Sequence, residues 1–293
     1  MTYDSSAEAD IRGLDITKLA TGFAIRANKF KKFCVESSTT AREMRWYKKT
    51  ATIITGTTTT EATQNFMANV SFKARPQVAE QSWERQTSYV KKYMIESPLI
   101  SEEDIKDSDI DVFGTLVEDL TLGLQRQVDQ RIINVLTESY TPANIQTQAA
   151  VATWATVGTC NPILDILNCE GKLRAYNYSP EGAVLAMNSI EYKHFINFLI
   201  SVKGSSIPAI AAEAARTGVV MEFLNKQIVV DENVTTAYAI MFIPQKTIAW
   251  KTFTPITAHT ITDLGIGKKV RILEEGEALL LHPKSCCLLT GTA

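Results

Sequence analysis

The residues whose types could support acid–base or metal chemistry are few and scattered. His194, His259 and His282 are the only 3 histidines of the 293-residue chain, and none belongs to an H-E-x-x-H pattern or to a close His/Asp/Glu cluster with metal-ligand spacing. His194 falls beside the apolar stripe of an expected helix, where a hydrogen-bonded structural histidine is the plainer reading. Gly265-Ile266-Gly267-Lys268-Lys269 falls short of a phosphate loop, which needs glycine where Thr262 stands and Ser or Thr where Lys269 stands. These glycines read as a flexible return between two strand regions. No G-x-G-x-x-G follows a strand, and no G-x-S-x-G elbow occurs. The vicinal Cys286-Cys287 pair lies in an apolar run without an adjacent base, so its thiols are expected to be inert. Glu274, Glu275 and Glu277 surround an expected turn at Glu275-Gly276, which reads as a solvated charged loop rather than a general acid and base. The sequence therefore nominates no catalytic, metal-binding or cofactor-binding residue, and no enzyme is expected.

Composition narrows the classes further. Hydrophobic residues make up 45% of the chain, enough for a substantial core. Lys and Arg total 30 against 32 Asp and Glu, a formal net charge of −2, so no strong long-range pull toward nucleic acid or an anionic membrane is expected and any nucleic-acid contact must be local. The start, MTYDSSAEADIRG, lacks the basic and apolar regions of a signal peptide, and no stretch approaches a membrane span, so a chain kept in a cytosol is expected. The 5 cysteines (Cys34, Cys160, Cys169, Cys286, Cys287) are odd in number and without C-x-x-C spacing, and read as reduced, mostly buried small hydrophobes.

The elements that would position any contact residues are more legible. Residues 1–43 lack sustained periodicity and interleave Arg26, Lys29, Lys31 and Lys32 with Phe23, Phe30 and Phe33. They read as an arm that lies on a partner chain, touches nucleic acid, or covers its own core. Residues 44–98 are rich in Thr, Val, Tyr, Phe and Trp, with strands expected over 45–55 and 84–96. In the second, Gln86, Ser88, Val90 and Lys92 share one face and Thr87, Tyr89, Lys91 and Tyr93 the other. A strand without an apolar face cannot seal a core; it suits a protruding hairpin completed by other chains, or an ordinary edge hairpin.

The strongest local signal follows. Ser108 is placed to cap a helix with Asp111 three residues on, and Phe113, Leu116, Val117, Leu120, Leu124, Val128, Ile132, Val135 and Leu136 recur at helical period. A helix over 109–139 would run about 46 Å. Asn161-Pro162 starts another helix, reaching about residue 176, and 183–187 reads as a strand. Asn188 caps a third helix with Glu191 at the capping-box position, ended by Gly204. Residues 208–216 read as a short alanine-rich helix. Strands are expected over 219–224, 227–230, 238–243, 247–253, 269–273, 278–282 and 286–289, which makes the class α+β.

This order of elements resembles that of the major capsid proteins of tailed phages and related viruses, those of the Hong Kong 97 type of fold. The resemblance is carried by the arm, by Val78-Ala79-Glu80-Gln81-Ser82-Trp83, by 100–108 leading into the long helix, by Ala183-Val184-Leu185-Ala186-Met187-Asn188, by Gln227-Ile228-Val229-Val230-Asp231, and by Lys269-Val270-Arg271-Ile272-Leu273-Glu274 with 278–289. It implies an N-terminal arm (1–43), an extended loop (44–98) overlapping the adjacent subunit, a peripheral domain (99–203) with spine helix 109–139, an axial domain (204–265), and closing strands of the peripheral domain (266–293). It implies hexamers and pentamers of the chain in an icosahedral-type shell around double-stranded DNA, with scaffolding, portal and decoration proteins as partners and no membrane. The shell would form in host cytoplasm and persist as the virion capsid. Trp83, Tyr89, Lys91, Lys92 and Tyr93 would make inter-subunit contacts, and Arg26, Lys29, Lys31 and Lys32 would touch genome or neighbour. Lys91 or Lys92 could be proposed for the crosslinking seen in some members, but no partner asparagine is singled out and crosslinking is not predicted. Two alternatives remain: an encapsulin-type compartment, and a soluble α+β enzyme of small oligomeric state.

Overall fold

The computed structural model describes residues 20, 29–55, 71–73, 79–102, 112–138, 145–156, 158–202 and 222–292. In chain order, a 3-10 turn at Lys31–Phe33 leads into β1 (Val35–Ser38), β2 (Glu43–Thr55), β3 (Ala79–Tyr89), β4 (Lys91–Glu96) and β5 (Ile100–Ser101). Then come α1 (Val112–Glu138), β6 (Gln146–Ala149), α2 (Pro162–Ala175), β7 (Val184–Met187) and α3 (Ser189–Ser201). The chain closes with β8 (Glu222–Phe223), β9 (Lys226–Val230), β10 (Tyr238–Phe242), β11 (Ile248–Asp263), β12 (Gly267–Leu280), a 3-10 turn at Pro283–Ser285, and β13 (Cys286–Thr290).

Helix α1 is the 27-residue centrepiece, about 40 Å long at 1.5 Å per residue. Val117, Leu120, Leu124, Val128, Ile132, Val135 and Leu136 are buried along it, as the periodicity predicts. It packs on β12 and β4. The expected capping residues Ser108 and Asp111 lie outside the described residues, as do the short helix expected over 208–216 and most of the strand expected over 219–224.

Two sheets build the body. One has the order β1-β11-β12-β4, with β5 also on β12; β1 runs parallel to β11 and the other pairs are antiparallel. The other has the order β6-β13-β10-β7-β9-β8. Strand alternation in this second sheet separates two cores. Val184, Ala186, Ile240, Phe242, Cys286 and Leu288 face the core shared with α1, while Leu185, Met187, Ala239, Met241, Cys287 and Leu289 face the core shared with α2 and α3. Burial on both faces accounts for the continuous apolar runs in these strands. It also turns the vicinal cysteines to opposite cores; all 5 thiols are buried, and burial raises the pKa of Cys286 and Cys34.

The two shorter helices start as their caps dictate. Asn161 Oδ1 accepts the Leu164 N–H at 3.3 Å with Pro162 in the first turn, and Asn188 Oδ1 accepts the Ile190 N–H at 3.1 Å. Glu191 departs from the expected capping box. Its carboxylate is buried and accepts the Ala237 N–H at 2.7 Å, fixing a loop residue held at φ 72°.

Three sequence expectations are corrected. The strand expected over 84–96 is two strands: the chain leaves β3 at Val90 and enters β4, which pairs with β12. Backbone alternation continues through such a crossing, so side-chain pattern alone does not mark it. The turn expected at Glu275-Gly276 is strand, and the two strands expected over 269–273 and 278–282 are one β12 that ends at Leu280. Gly276 is there because the Trp250 ring lies over it: a Cβ would sit 2.6 Å from the ring. Finally, β11 runs to Asp263 through Pro255, where register shifts between Thr252 and Thr257 absorb the residue that cannot donate to the ladder.

The turn between β11 and β12 lies at 264–266, and β7, β10 and β13 share one sheet.

Candidate functional site

The β2–β3 ribbon stands apart from both body sheets as a two-stranded sheet of its own. Its register, from Glu43↔Tyr89 through Lys49↔Trp83, sorts side chains onto two faces. The inner face carries Met44, Trp46, Lys48, Gln86 and Ser88. Met44 and Lys48 are buried, Trp46 Nε1 donates to Ser88 Oγ at 3.0 Å, and Lys48 pairs with Glu84 at 3.1 Å. Together with Arg131, Val135, Ala278 and Leu280 this face lines a 180 Å³ groove against the body. The outer face presents Arg45, Tyr47, Arg85, Thr87 and Tyr89 away from it, while Lys49 and Trp83 on the same face lie near His282 of the body. Tyr47, Trp83 and Tyr89 are 58%, 49% and 65% exposed. Large aromatic surfaces this open on a ribbon two strands wide are not core residues of the chain itself.

The ribbon is tied to the body at its root. The Val90 N–H donates to Arg42 O at 3.0 Å and the Lys49 N–H to Leu281 O at 2.9 Å. The Trp83 ring meets His282 at 6.4 Å, His282 meets Tyr178 at 6.2 Å, Lys49 Nζ lies 5.9 Å from the Trp83 ring, and Lys246 Nζ lies 4.8 Å from that of Tyr178. Burial, then the charges of Lys246 and Lys49, push the His282 pKa below its usual value. His282 is a neutral spacer between aromatic rings there.

Of the expected contact residues, Trp83 and Tyr89 lie on the outer face of this ribbon. Lys91, Lys92 and Tyr93 do not: they belong to β4, opposite Gly276, Glu275 and Glu274 of β12. Lys91 and Lys92 are exposed at the sheet edge. Tyr93 is half-buried with its ring 6.2 Å from Trp250, and burial followed by the charge of Glu277 raises its pKa. Sequence reasoning passed over Tyr47, which the alternation of Glu43, Arg45, Tyr47 and Lys49 against Met44, Trp46 and Lys48 would have marked.

The basic arm residues divide differently. Arg26 lies outside the described residues. Lys29 and Phe30 donate their backbone N–H groups to the Asp129 carboxylate of α1 at 3.0 and 3.2 Å, and Phe30 and Phe33 are buried against Phe242. Burial raises the Asp129 pKa to about 6 while these N–H groups oppose the rise. Lys29 Nζ pairs with Asp231 at 3.1 Å. Lys31 forms an ion pair with the fully buried Glu274 and sits 5.5 Å over the Trp250 ring, so its ammonium is taken up inside the body and not offered to a phosphate. Lys32 alone of the three is exposed without an ion pair among the described residues, 4.8 Å from the Phe33 ring.

Glu274, Glu275 and Glu277 are correspondingly buried, against the expectation of a solvated loop. Gln125 Nε2 donates to Glu274 at 3.0 Å, Arg131 clasps Glu277 at 2.6 and 2.8 Å, and Thr254 Oγ1 donates to Glu275 at 3.1 Å. Glu274 and Glu277 meet cations from elements remote in sequence, and Glu275 is held by a hydroxyl of the adjacent strand, so these are structural groups. The larger surface groove, 360 Å³ between α2 and the β8–β9 turn, has its polar chemistry committed to the Lys226–Glu170–Arg174 ion pairs. Among the described residues no His/Cys/Asp/Glu group is arranged to hold a metal ion, and no helix is long and apolar enough to cross a membrane.

No known family profile and no curated protein matches the sequence. Solved structures do match the fold. A virus-like particle from Pyrococcus furiosus is similar over 95% of this chain and 99% of that one, with 10% identity and a TM-score of 0.63. The capsid of a native GTA particle is similar over 91% of each chain, with 11% identity and a TM-score of 0.66. The capsid of the cyanophage P-SCSP1u is similar over 90% of this chain and 88% of that one, with 10% identity and a TM-score of 0.64. The chain thus has a phage-capsid fold of mixed α and β structure.

Proposed function

We propose that this chain is the major capsid protein of a tailed virus, a structural shell subunit and not an enzyme. The observation that carries the reading is the outer face of the β2–β3 ribbon, with Tyr47, Trp83 and Tyr89 open on a two-stranded sheet, in a chain whose fold is that of virus shell subunits. A ribbon of this kind is unstable as a free element, and contacts with neighbouring copies complete it. The ribbon is the core of the extended loop 44–98, α1 is the spine of a peripheral domain 99–203, 204–265 is an axial domain, and 266–293 supplies closing strands of the peripheral domain. Many modest heterologous contacts, closing into hexamers and pentamers, add up to a stable shell without any one strong interface.

Double-stranded DNA would be held inside by volume and weak local contacts, as a net charge of −2 allows. Scaffolding, portal and decoration proteins complete the expected partners, with assembly in host cytoplasm. The encapsulin-type protein compartment, the alternative with the same kind of shell, is separated from the virus by what the shell contains.

The test is to express the chain, size it by light scattering and image the same fraction by negative stain. Closed shells, capsomers, or tubes and sheets of them are expected. Packaged DNA supports the virus and packaged protein the compartment. A monodisperse monomer or dimer, unchanged by crowding or by a scaffolding protein, overturns both readings.

A further inference from the structure

The lysines of this chain are held in two ways, and the difference marks a site. Lys29 and Lys31 of the arm pair with Asp231 and the buried Glu274, so their charges are cancelled. Where the ribbon passes Leu281 and His282, Lys49 and Lys246 are held by rings instead. The Lys49 ammonium lies 5.9 Å from the Trp83 ring and the Lys246 ammonium 4.8 Å from the Tyr178 ring, and neither has a carboxylate partner among the described residues. A cation–π contact positions an ammonium without neutralising it.

His282 links the two rings. Its imidazole lies 6.4 Å from Trp83 and 6.2 Å from Tyr178, with Nδ1 3.4 Å from the Tyr178 hydroxyl. The charges that act on it are those of Lys246 and Lys49, and both disfavour its protonation. The group is assembled from register partners on β2 and β3, the end of α2, the β10–β11 turn and the entry to the last 3-10 turn. Lys246 is exposed on a fixed turn: its neighbour Gln245 is held at φ 52° with the N–H donating to Phe33 O at 2.7 Å. Trp83 is half-exposed, so part of its ring remains open to a ligand.

Two uncancelled ammoniums flanking a neutral imidazole, with open ring surface beside them, suit a chain of anions better than a lone one. A polynucleotide backbone supplies regularly spaced phosphates, each taken by a lysine as a point charge, while its sugars and bases rest on the rings. We propose that Lys49, Lys246 and His282, with the Trp83 ring, form a phosphate-backbone site for the polynucleotide enclosed by the shell, Tyr178 positioning Lys246. The identity of that polynucleotide as DNA rests on the shell reading above. The contact falls at the crossing of ribbon and body and not in the arm, where Lys29 and Lys31 are paired. In a chain of net charge −2 it is weak, non-specific and salt-dependent.

The test is binding of a short DNA duplex to the unassembled chain, read by fluorescence anisotropy across a salt series. Lys49→Gln with Lys246→Gln is expected to flatten the slope of log affinity against log salt by about 1.8, since each neutralised phosphate contributes about 0.9. Over about a fourfold rise in salt, the variant then loses about tenfold less affinity than the wild type. Lys193→Gln, which removes an exposed charge from α3, is expected to leave the slope unchanged. The duplex is also expected to quench the wild-type tryptophan fluorescence and to quench Trp83→Phe far less, because Trp154 and Trp250 are buried and Trp46 packs against the body. Circular dichroism and thermal melting verify the fold of each variant.

A wild-type slope in folded Lys49→Gln/Lys246→Gln overturns the proposal, as do an equal flattening in Lys193→Gln and undiminished quenching in Trp83→Phe. Polyglutamate is the competitor of the other polyanion class: if it displaces the duplex at equal charge concentration, the cluster seats an acidic protein segment and the polynucleotide assignment falls. The shell reading is decided separately by the assembly test. A chain that binds no duplex refutes the site whether or not it forms shells, and a chain that binds with the expected slope but never assembles refutes the shell alone.

Discussion

The interior beneath β12 and the outer face of the β2–β3 ribbon are built from the same residue types, charged groups among large aromatics, and treat them in opposite ways. Beneath β12, Lys31, Arg131 and Gln125 each reach a buried glutamate, and the Trp250 ring lies over Gly276 and 5.5 Å from the Lys31 ammonium. On the ribbon, Arg45, Arg85, Tyr47 and Tyr89 are left open. A buried charge without a partner costs several kcal/mol, so the interior must be completed within the chain, whereas an exposed face can wait for another copy. The contrast separates what the chain needs to fold from what it needs to assemble.

The sharpest way to break the comparison is Glu274→Ala, which leaves Lys31 buried and without its counter-charge. A loss of about 3–5 kcal/mol in denaturant-induced unfolding of the unassembled chain is expected, because removing one partner of a buried pair costs far more than the pair contributes. A loss under 1 kcal/mol would mean that Lys31 escapes to water and the arm is loosely held. Next comes Gly276→Ala. Its Cβ would meet the Trp250 ring at 2.6 Å and Lys251 O at 2.9 Å, backbone that cannot yield easily, so about 1–3 kcal/mol of stability is expected to be lost.

Asp129→Asn probes the arm's anchor through pH. The folded pKa of about 6 lies above the ordinary 3.8, so the folded chain holds the proton more tightly than the unfolded one. Stability from this group is therefore fullest below 3.8, declines as pH rises toward about 6, and is level above that. The difference in unfolding free energy between wild type and Asp129→Asn should fall across that window. A difference that instead grows there would show that the Lys29 and Phe30 N–H groups hold the carboxylate ionised.

Smallest for the fold is Tyr47→Ser with Tyr89→Ser. Unfolding of the unassembled chain should stay within about 0.5 kcal/mol of wild type, as for exposed positions generally, while assembly yield drops. An equal loss in both measurements would mean that the ribbon's outer face is part of the chain's own core.

Much of this fold is legible in the amino-acid order because local physics dictates it. The apolar stripe from Leu116 to Leu136 has no competing proline and becomes α1. Asn161 and Asn188 cap helices because their short side chains reach the free N–H groups of the first turn. What the order conceals is pairing over long separations. Glu274 and Glu277 flank a glycine and look like a turn until Lys31 and Arg131, far off in sequence, supply their counter-charges. Lys31 looked like a residue for a neighbour or a genome, because nothing nearby in the chain reveals that Phe30 and Phe33 insert into the core and carry it along. Lys91, Lys92 and Tyr93 were grouped with the ribbon because alternation runs on unbroken past Val90, where the strand changes sheets. The exposed face was easier: Trp83 and Tyr89 lie in a stretch with no face apolar enough to bury.

That change of sheets gives the ribbon a mechanical character. Only Val90 separates β3 from β4, and β4 is laddered to β12 from Gly276↔Lys91 to Arg271↔Glu96. A pull along the ribbon is therefore delivered as tension in line with β4, and it loads that whole ladder in shear, where the hydrogen bonds share the force and do not unzip one by one. The ribbon is a tether spliced into the frame of the molecule.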